Sequence, residues 1–239
     1  MSGERTQLYL LDVEGTVAPL SLVTEELFPY ARKHLADFLK QNLRQPEVQN
    51  DLTLLAEENR AELIEDCPTF GIEIRNELHA RAYLMWLMDR DRKSTALKSL
   101  QGKIWKAGFE SGELKGTLFS DVPPAFERWG RDGKIAIYSS GSVEAQKLLF
   151  CHSIYGDLTS RIAGYFDTRT GPKTASASYA AIAGAMSVPP SEAIFFSDVV
   201  RELDAAREAG FSTRLLVREG NAPVEDAHGH PTITSLNEQ

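Results

Sequence analysis

Acids, hydroxyls and one lysine stand beside turn residues at four places in this sequence. They are Asp12-Val13-Glu14-Gly15-Thr16, Ser139-Ser140-Gly141-Ser142, Gly171-Pro172-Lys173-Thr174 and Ser197-Asp198-Val199-Val200-Arg201-Glu202. The oxygens of Asp12, Glu14 and Asp198 suit a hard cation such as magnesium, which prefers carboxylate, carbonyl and phosphate ligands. Such a cation offsets the repulsion between a carboxylate and a phosphate dianion. Hydroxyls and backbone amides around Gly141 are of the kind that cradle phosphate oxygens. Lys173 would add a point charge beside the transferring group. With that charge in place, Asp12 is able to attack phosphorus and form an aspartyl phosphate, which water then hydrolyses. Singly, each stretch has a plainer reading. The acid pair would be a solvated turn, Ser142 an N-cap for the next helix, Lys173 a surface residue and Asp198 a turn acid.

What lifts them above coincidence is the set of elements that must position them. Leu8-Tyr9-Leu10-Leu11 is a short, uncharged apolar run within Gln7–Val13 and reads as a strand buried on both faces. Further strands are expected over Lys134–Ser139, after the turn residues Asp132-Gly133, and over Ala193–Ser197 and Ser212–Val217. Helical patterns lie between them at Val122–Arg131, Val143–Phe150, Ala175–Met186 and Glu202–Ala209. Strands alternating with helices imply an α/β fold, a Rossmann-like parallel sheet sandwiched by helices. In such a sheet ligands sit at the carboxyl ends of the strands, and three of the four stretches follow a strand directly.

Residues 21–117 interrupt this pattern. Leu27, Phe28, Tyr30, Leu35, Phe38 and Leu39 fall near helical spacing, as do Leu78, Ala82, Met85, Trp86 and Met88. Pro46, Pro68 and Gly71 punctuate the run. The expectation is an inserted all-helical cap over 21–117, closing on the carboxyl edge of a core formed by 1–20 and 118–239. The tail after Gly220 is polar and is expected to be loosely ordered.

Composition narrows the class further. At 239 residues, with 42% hydrophobic and 25% charged side chains, the chain is ordinary globular protein. Its net charge of -8 disfavours nucleic acid as a partner. A small phosphate ester remains open, because a local cation overrules the global field. Cys67 and Cys151 form no CxxC and are expected to be reduced thiols. The N-terminal apolar run is too short for a signal peptide, and no stretch approaches a membrane span. A cytoplasmic monomer is expected.

The four stretches resemble, in order, the four motifs of the haloacid dehalogenase-like superfamily. That resemblance implies Asp12 as nucleophile, Ser139 as a binder of the phosphoryl group, Lys173 as the third-motif lysine and Asp198 as a magnesium ligand. Phosphatases of the superfamily usually carry aspartate two residues after the nucleophile, where this chain has Glu14. One branch fits. Leu11-Asp12-Val13-Glu14-Gly15-Thr16, Leu27-Phe28-Pro29-Tyr30, Leu97-Lys98-Ser99-Leu100-Gln101-Gly102 and the long run Tyr138-Ser139-Ser140-Gly141-Ser142-Val143-Glu144-Ala145-Gln146 to Phe150 are similar to the enolase-phosphatases of methionine salvage. The similarity continues through Tyr165-Phe166-Asp167-Thr168 and Ser197-Asp198-Val199 to Gly220-Asn221, and is weakest between Gln41 and Ala80.

The resemblance implies a bifunctional enzyme acting on 5-(methylthio)-2,3-dioxopentyl 1-phosphate. It would enolise the diketone and then remove phosphate, giving the acireductone 1,2-dihydroxy-5-(methylthio)pent-1-en-3-one. Asp12, Glu14 and Asp198 would hold one magnesium ion per subunit, and Ser139, Ser140 and Lys173 would contact substrate. Catalytic roles fall to Asp12, Glu14 and Lys173. The base for enolisation stays open between Glu14 and a group of the cap.

Other residues have plainer readings. His228-Gly229-His230 resembles a metal pair, but it lies in a polar tail with no acidic or cysteine partner at ligand spacing, so a solvated tail is expected. Glu202 would orient Lys173 or a metal-bound water, or simply sit at a helix start, where the dipole favours an acid. Trp105 and Phe109 would suit the apolar methylthio end of the substrate. The rival functions are a magnesium-dependent phosphatase of another small ester, a metal-free dehalogenase and a silent binding module. The acids at Glu14 and Asp198 speak against the second, and the complete catalytic set against the third.

Overall fold

The structure is a computed structural model that describes residues 6–239. The first five residues, on which part of the reading of the N-terminus rests, lie outside the described residues. By internal contacts the chain divides into two units. One is the chain up to Val23 together with Lys115–Gln239, and the other is Thr24–Leu114.

The first unit begins with strand β1 (Leu8–Leu11). The second holds helices α1 (Phe28–Asn42), α2 (Pro46–Arg60), α3 (Glu77–Asp89) and α4 (Thr95–Ser111). The first unit then resumes with α5 (Val122–Trp129), β2 (Lys134–Tyr138), α6 (Val143–Cys151), β3 (Gly164–Phe166) and α7 (Ser176–Met186). It ends with β4 (Ala193–Ser197), α8 (Val200–Glu208), β5 (Ser212–Leu216) and β6 (Thr232–Ile233). The six strands form one parallel sheet in the order β3-β2-β1-β4-β5-β6.

Strand alternation explains why β1 is apolar throughout. Leu8 and Leu10 join a buried cluster with Tyr179, Ile182 and Met186 of α7 and Leu203 of α8. Tyr9 points the other way and stacks on Trp129 of α5, with centroids 4.7 Å apart. In β4, Phe195 meets Tyr179 edge-on at 5.0 Å, while Phe196 faces Trp129 at 5.1 Å. A strand with a helix layer on each face has no solvent side, so both of its faces are hydrophobic. The α/β fold is therefore as expected from the sequence.

Two strands were not expected. β3 has three residues and β6 has two, too few to carry a period. β6 also corrects the expectation for the tail. Ile233 and Leu236 are buried there, and Ser235 and Glu238 close a capping box at the final turn.

The helical unit contains no strand among the described residues. Its core includes Leu35 and Leu39 of α1, Leu55 of α2, Leu84 and Leu87 of α3, and Leu100 and Ile104 of α4. Pro46 opens α2, where a missing N–H costs nothing. Asn76 and Ser94 cap α3 and α4 by accepting from the N–H groups of His79 and Leu97, both at 2.9 Å. No helix of the described residues is long and apolar enough to cross a membrane.

Candidate active site

In a sheet of order 3-2-1-4-5-6 the connections leave in opposite directions on either side of β1 and β4, and the crevice outside their carboxyl ends is where ligands bind. Asp12 follows β1 and Asp198 follows β4, so two acids flank this switch point. The Asp12 N–H extends the ladder by donating to the Phe196 carbonyl at 3.0 Å. The chain then turns tightly. The N–H groups of Thr16, Val17 and Ala18 all reach the Val13 carbonyl, at 3.2, 2.9 and 2.9 Å. Gly15 makes this possible with a φ of 73°. A Cβ on Gly15 would stand 2.3 Å from an oxygen of Asp198, so the bare glycine also lets that carboxylate come up against the turn.

β2 delivers the hydroxyls. Ser139 is buried directly after the strand, and its hydroxyl donates to Glu14 Oε2 at 3.1 Å while accepting from the Gly141 N–H at 3.0 Å. Ser140 is exposed at the strand end. Ser142 caps α6 by accepting from the Ala145 N–H, which is the plainer role foreseen for it.

Lys173 lies on the loop between β3 and α7, and hydroxyls shape that loop. Tyr138 donates to the Gly171 carbonyl at 2.8 Å, Ser178 to Pro172 at 2.8 Å and Tyr179 to Lys173 at 2.7 Å. The lysine ammonium is thereby held 2.6 Å from Asp12 Oδ1 and 2.7 Å from Glu202 Oε2. Glu202, undecided in sequence, is a full member of the cluster, and it also accepts from the Ser197 hydroxyl at 3.0 Å. Tyr138, Ser178 and Tyr179 were not singled out in sequence. Their only signal is a hydroxyl on an otherwise apolar face.

Asp12, Glu14, Asp198 and Glu202 thus crowd around one lysine. Burial, reinforced by the Asp12 charge, raises Glu14 above the usual carboxylate range. The same two causes push Asp198 up to about 6 and Glu202 to about 7. Burial alone would lower Lys173, but the Asp12 and Glu202 charges outweigh it and raise the ammonium, which stays protonated.

This excess of negative charge is the observation against which a metal is tested. Magnesium takes one or two carboxylates and completes its octahedron with waters and phosphate oxygens. Asp12 and Asp198 at the switch point fit that demand. Among the described residues no three His, Cys, Asp or Glu side chains converge into a cage. The Glu14 carboxylate, the third acid expected from the sequence, accepts from the Ser139 hydroxyl beside Asp12 and Asp198.

Outside this cluster, His228 and His230 do find an acid. Both bond Asp204 of α8, at 2.7 and 3.1 Å, and buried His230 also meets the Thr213 hydroxyl at 2.7 Å. The expected solvated tail is corrected here. The histidines anchor it, with a partner 24 and 26 residues away in sequence. Trp105, within the helical unit, donates its indole N–H to the Leu27 carbonyl at 2.7 Å. Cys67 and Cys151 are free thiols.

The model of the haloacid dehalogenase-like hydrolases matches residues 6–210. An enolase-phosphatase E1 of Synechococcus elongatus is 54% identical over 217 residues, 90% of each chain. One of Danio rerio is 40% identical over 247 aligned positions, covering 98% of this chain and 95% of its own. Among solved structures, the UTR4 protein of Saccharomyces cerevisiae superposes with a TM-score of 0.78 at 38% identity, covering 97% of this chain and 98% of that one.

Proposed function

Because the chain belongs to the haloacid dehalogenase-like hydrolases, and within them to the enolase-phosphatases, we propose that its carboxylate cluster performs both halves of that reaction on one substrate. The substrate is 5-(methylthio)-2,3-dioxopentyl 1-phosphate, and the products are the acireductone and phosphate. The observation that carries this reading is Lys173, fixed between the strand-end Asp12 and Glu202 at 2.6 and 2.7 Å. That pairing leaves a cation beside the nucleophile, where a phosphoryl group would arrive.

Enolisation comes first. The substrate methylene lies between the phosphate ester and a carbonyl, and the adjacent diketone acidifies it. Glu14 takes that proton and returns it to the neighbouring carbonyl oxygen, so the step is a net isomerisation to the enol phosphate. Burial and the Asp12 charge make Glu14 a stronger base than an exposed carboxylate. Asp12 then attacks phosphorus. The bond from phosphorus to the enol oxygen breaks as the bond to Asp12 forms, and water attacks phosphorus to release phosphate and restore Asp12. Ser139 and Ser140 hold phosphate oxygens, and Lys173 meets the developing charge. Asp12 and Asp198 would hold a magnesium ion, which when bound would supply the positive charge a phosphate dianion needs to approach these acids.

The test uses the diketone phosphate with magnesium, following enol absorbance and free phosphate together. Enol is expected to rise before phosphate, and EDTA is expected to stop phosphate release. Phosphate release without enol would move the protein to the phosphatases of other small esters. Silence with every small ester tried would remove the reading.

A further inference from the structure

We infer that the turn after β5, Arg218-Glu219-Gly220-Asn221, is a positioning element of the active site, which holds the nucleophile turn by its carbonyls. The amides of that turn are satisfied locally, at the Val13 carbonyl and, for Gly15, at the Ala18 carbonyl at 2.8 Å. Its carbonyls are satisfied from the other end of the sequence. Asn221 Nδ2 donates to the Gly15 carbonyl at 3.0 Å, across 206 residues. Arg218 donates to the Thr16 carbonyl through Nε and Nη2, at 3.3 and 3.1 Å, across 202 residues. Two consecutive peptide planes, next to Asp12 and Glu14, are thus clamped by neighbouring residues of one turn.

The clamp is itself rigid. Arg218 makes a two-pronged ion pair with Asp121, at 2.7 and 3.0 Å, and lies 4.4 Å over the Phe119 ring. Asn221 closes its own turn by donating its N–H to the Arg218 carbonyl at 3.2 Å. Gly15 is the place where such a clamp matters. A glycine at positive φ resists rotation least, and its Cα is the surface against which Asp198 rests. Asn221 Oδ1 is buried without a partner among the described residues and lies on that same side of Gly15, 3.1 Å from where a Cβ would be. Fixing the Gly15 carbonyl therefore fixes the spacing between the nucleophile turn and Asp198.

The inference rests on the reading of Asp12 as nucleophile, and its test separates the two. Asn221→Ala and Asn221→Asp are compared with the wild type in magnesium and the diketone phosphate, alongside amide hydrogen exchange of Val13–Ala18 without substrate. Both variants lose the donor to Gly15, and the aspartate keeps the shape. In both, kcat is expected to fall about 10- to 100-fold with KM within about threefold, the signature of a misplaced reacting group. Exchange in Val13–Ala18 is expected to quicken about fivefold, the effect of one lost hydrogen bond. The melting temperature should barely move, since Asn221 is only partly buried. Unchanged exchange in both variants overturns the inference whatever the substrate proves to be. So does full kcat in Asn221→Asp, which would show that shape, not the donor, is what counts. A wild type silent on the diketone phosphate would count against the proposed function alone, with the exchange result still deciding the clamp.

Discussion

Lys173 is paired with Asp12 at 2.6 Å, and Asp12 is nearly isosteric with asparagine, so one substitution isolates the nucleophile. Asp12→Asn is expected to abolish phosphate release without unfolding the protein, because an amide forms no acyl phosphate. In the proposed mechanism enolisation runs through Glu14 rather than Asp12, so enol is expected still to accumulate in that variant if magnesium stays bound. Full turnover in Asp12→Asn would overturn the mechanism. Ser139→Ala is expected to cost a factor of about 10²–10³ in rate, comparable to losing one oxyanion donor. The crowded acids also carry a pH signature. Asp198 and Glu202 have folded values of about 6 and 7, above their ordinary 3.8 and 4.5. A carboxyl raised on folding stabilises below its unfolded value, and that stability is lost as pH rises through the folded one. The metal-free protein should therefore melt at falling temperature between pH 5 and pH 8, and magnesium should flatten the fall. Thermal melts with and without EDTA check this, and a metal-free melting curve independent of pH would count against it. The residues that sequence made visible at this scale are those in short runs: Asp12, Ser139, Lys173 and Asp198. The roles of Tyr138, Tyr179 and Asn221 were not, because each acts on a backbone carbonyl, 33, 6 and 206 residues away, and a side chain's spacing says nothing about a carbonyl it will meet.

At the scale of elements, the strands do little more than end in the right place, and the turns decide the geometry. Gly15 is the sharpest case. An alanine there would hold a Cβ 2.3 Å from Asp198 Oδ2 at a φ of 73°, so either the turn or the carboxylate must move. Gly15→Ala is expected to destabilise by about 1–2 kcal/mol from the left-handed backbone and to weaken magnesium binding measured by calorimetry. Unaltered magnesium affinity would show that Asp198 is not a ligand. β1, β2 and β4 were legible because a strand covered on both faces is a largely apolar run, and β5 by the Leu215-Leu216 pair that ends it. β3 and β6 were not, because edge pairs of two or three residues have no period to read. The helical segment was legible as helix from its periodicity. The irregular stretch between α2 and α3 was not, being built from single side chains. Asn59 holds the carbonyls of Thr69 and Ile72, and Glu62 accepts from the N–H groups of Leu63 and Ile64.

At the scale of the whole molecule, the two ends of the described chain are joined through one buried ion pair. Arg218 links the Thr16 carbonyl to Asp121, and Asp121 accepts in turn from the Ser235 hydroxyl and the Leu236 N–H, each at 2.8 Å. Arg128 adds a bond to the Leu236 carbonyl at 2.8 Å. Removing residues 232–239 would strip β6 from the sheet and expose the sites of Ile233 and Leu236. Each fully buried side chain of that size contributes about 1.5–3 kcal/mol, so a loss of about 3–6 kcal/mol is expected. That is a large part of the roughly 5–15 kcal/mol that holds a domain together. Urea melts of the truncated and full chains measure it. The same deletion takes two donors from Asp121. Burial alone would raise that carboxyl, but Arg218, Ser235 and the Leu236 N–H outweigh it and hold the carboxyl below its ordinary 3.8. A carboxyl lowered on folding stabilises fully above its unfolded value, and the contribution is lost as pH falls through the folded one. With fewer donors the folded value rises toward 3.8, so the truncated protein should begin its acid unfolding at a higher pH than the full chain. An acid limb that does not move on truncation would mean that Arg218 alone sets the charge of Asp121, and that the tail joins the fold only through its apolar side chains.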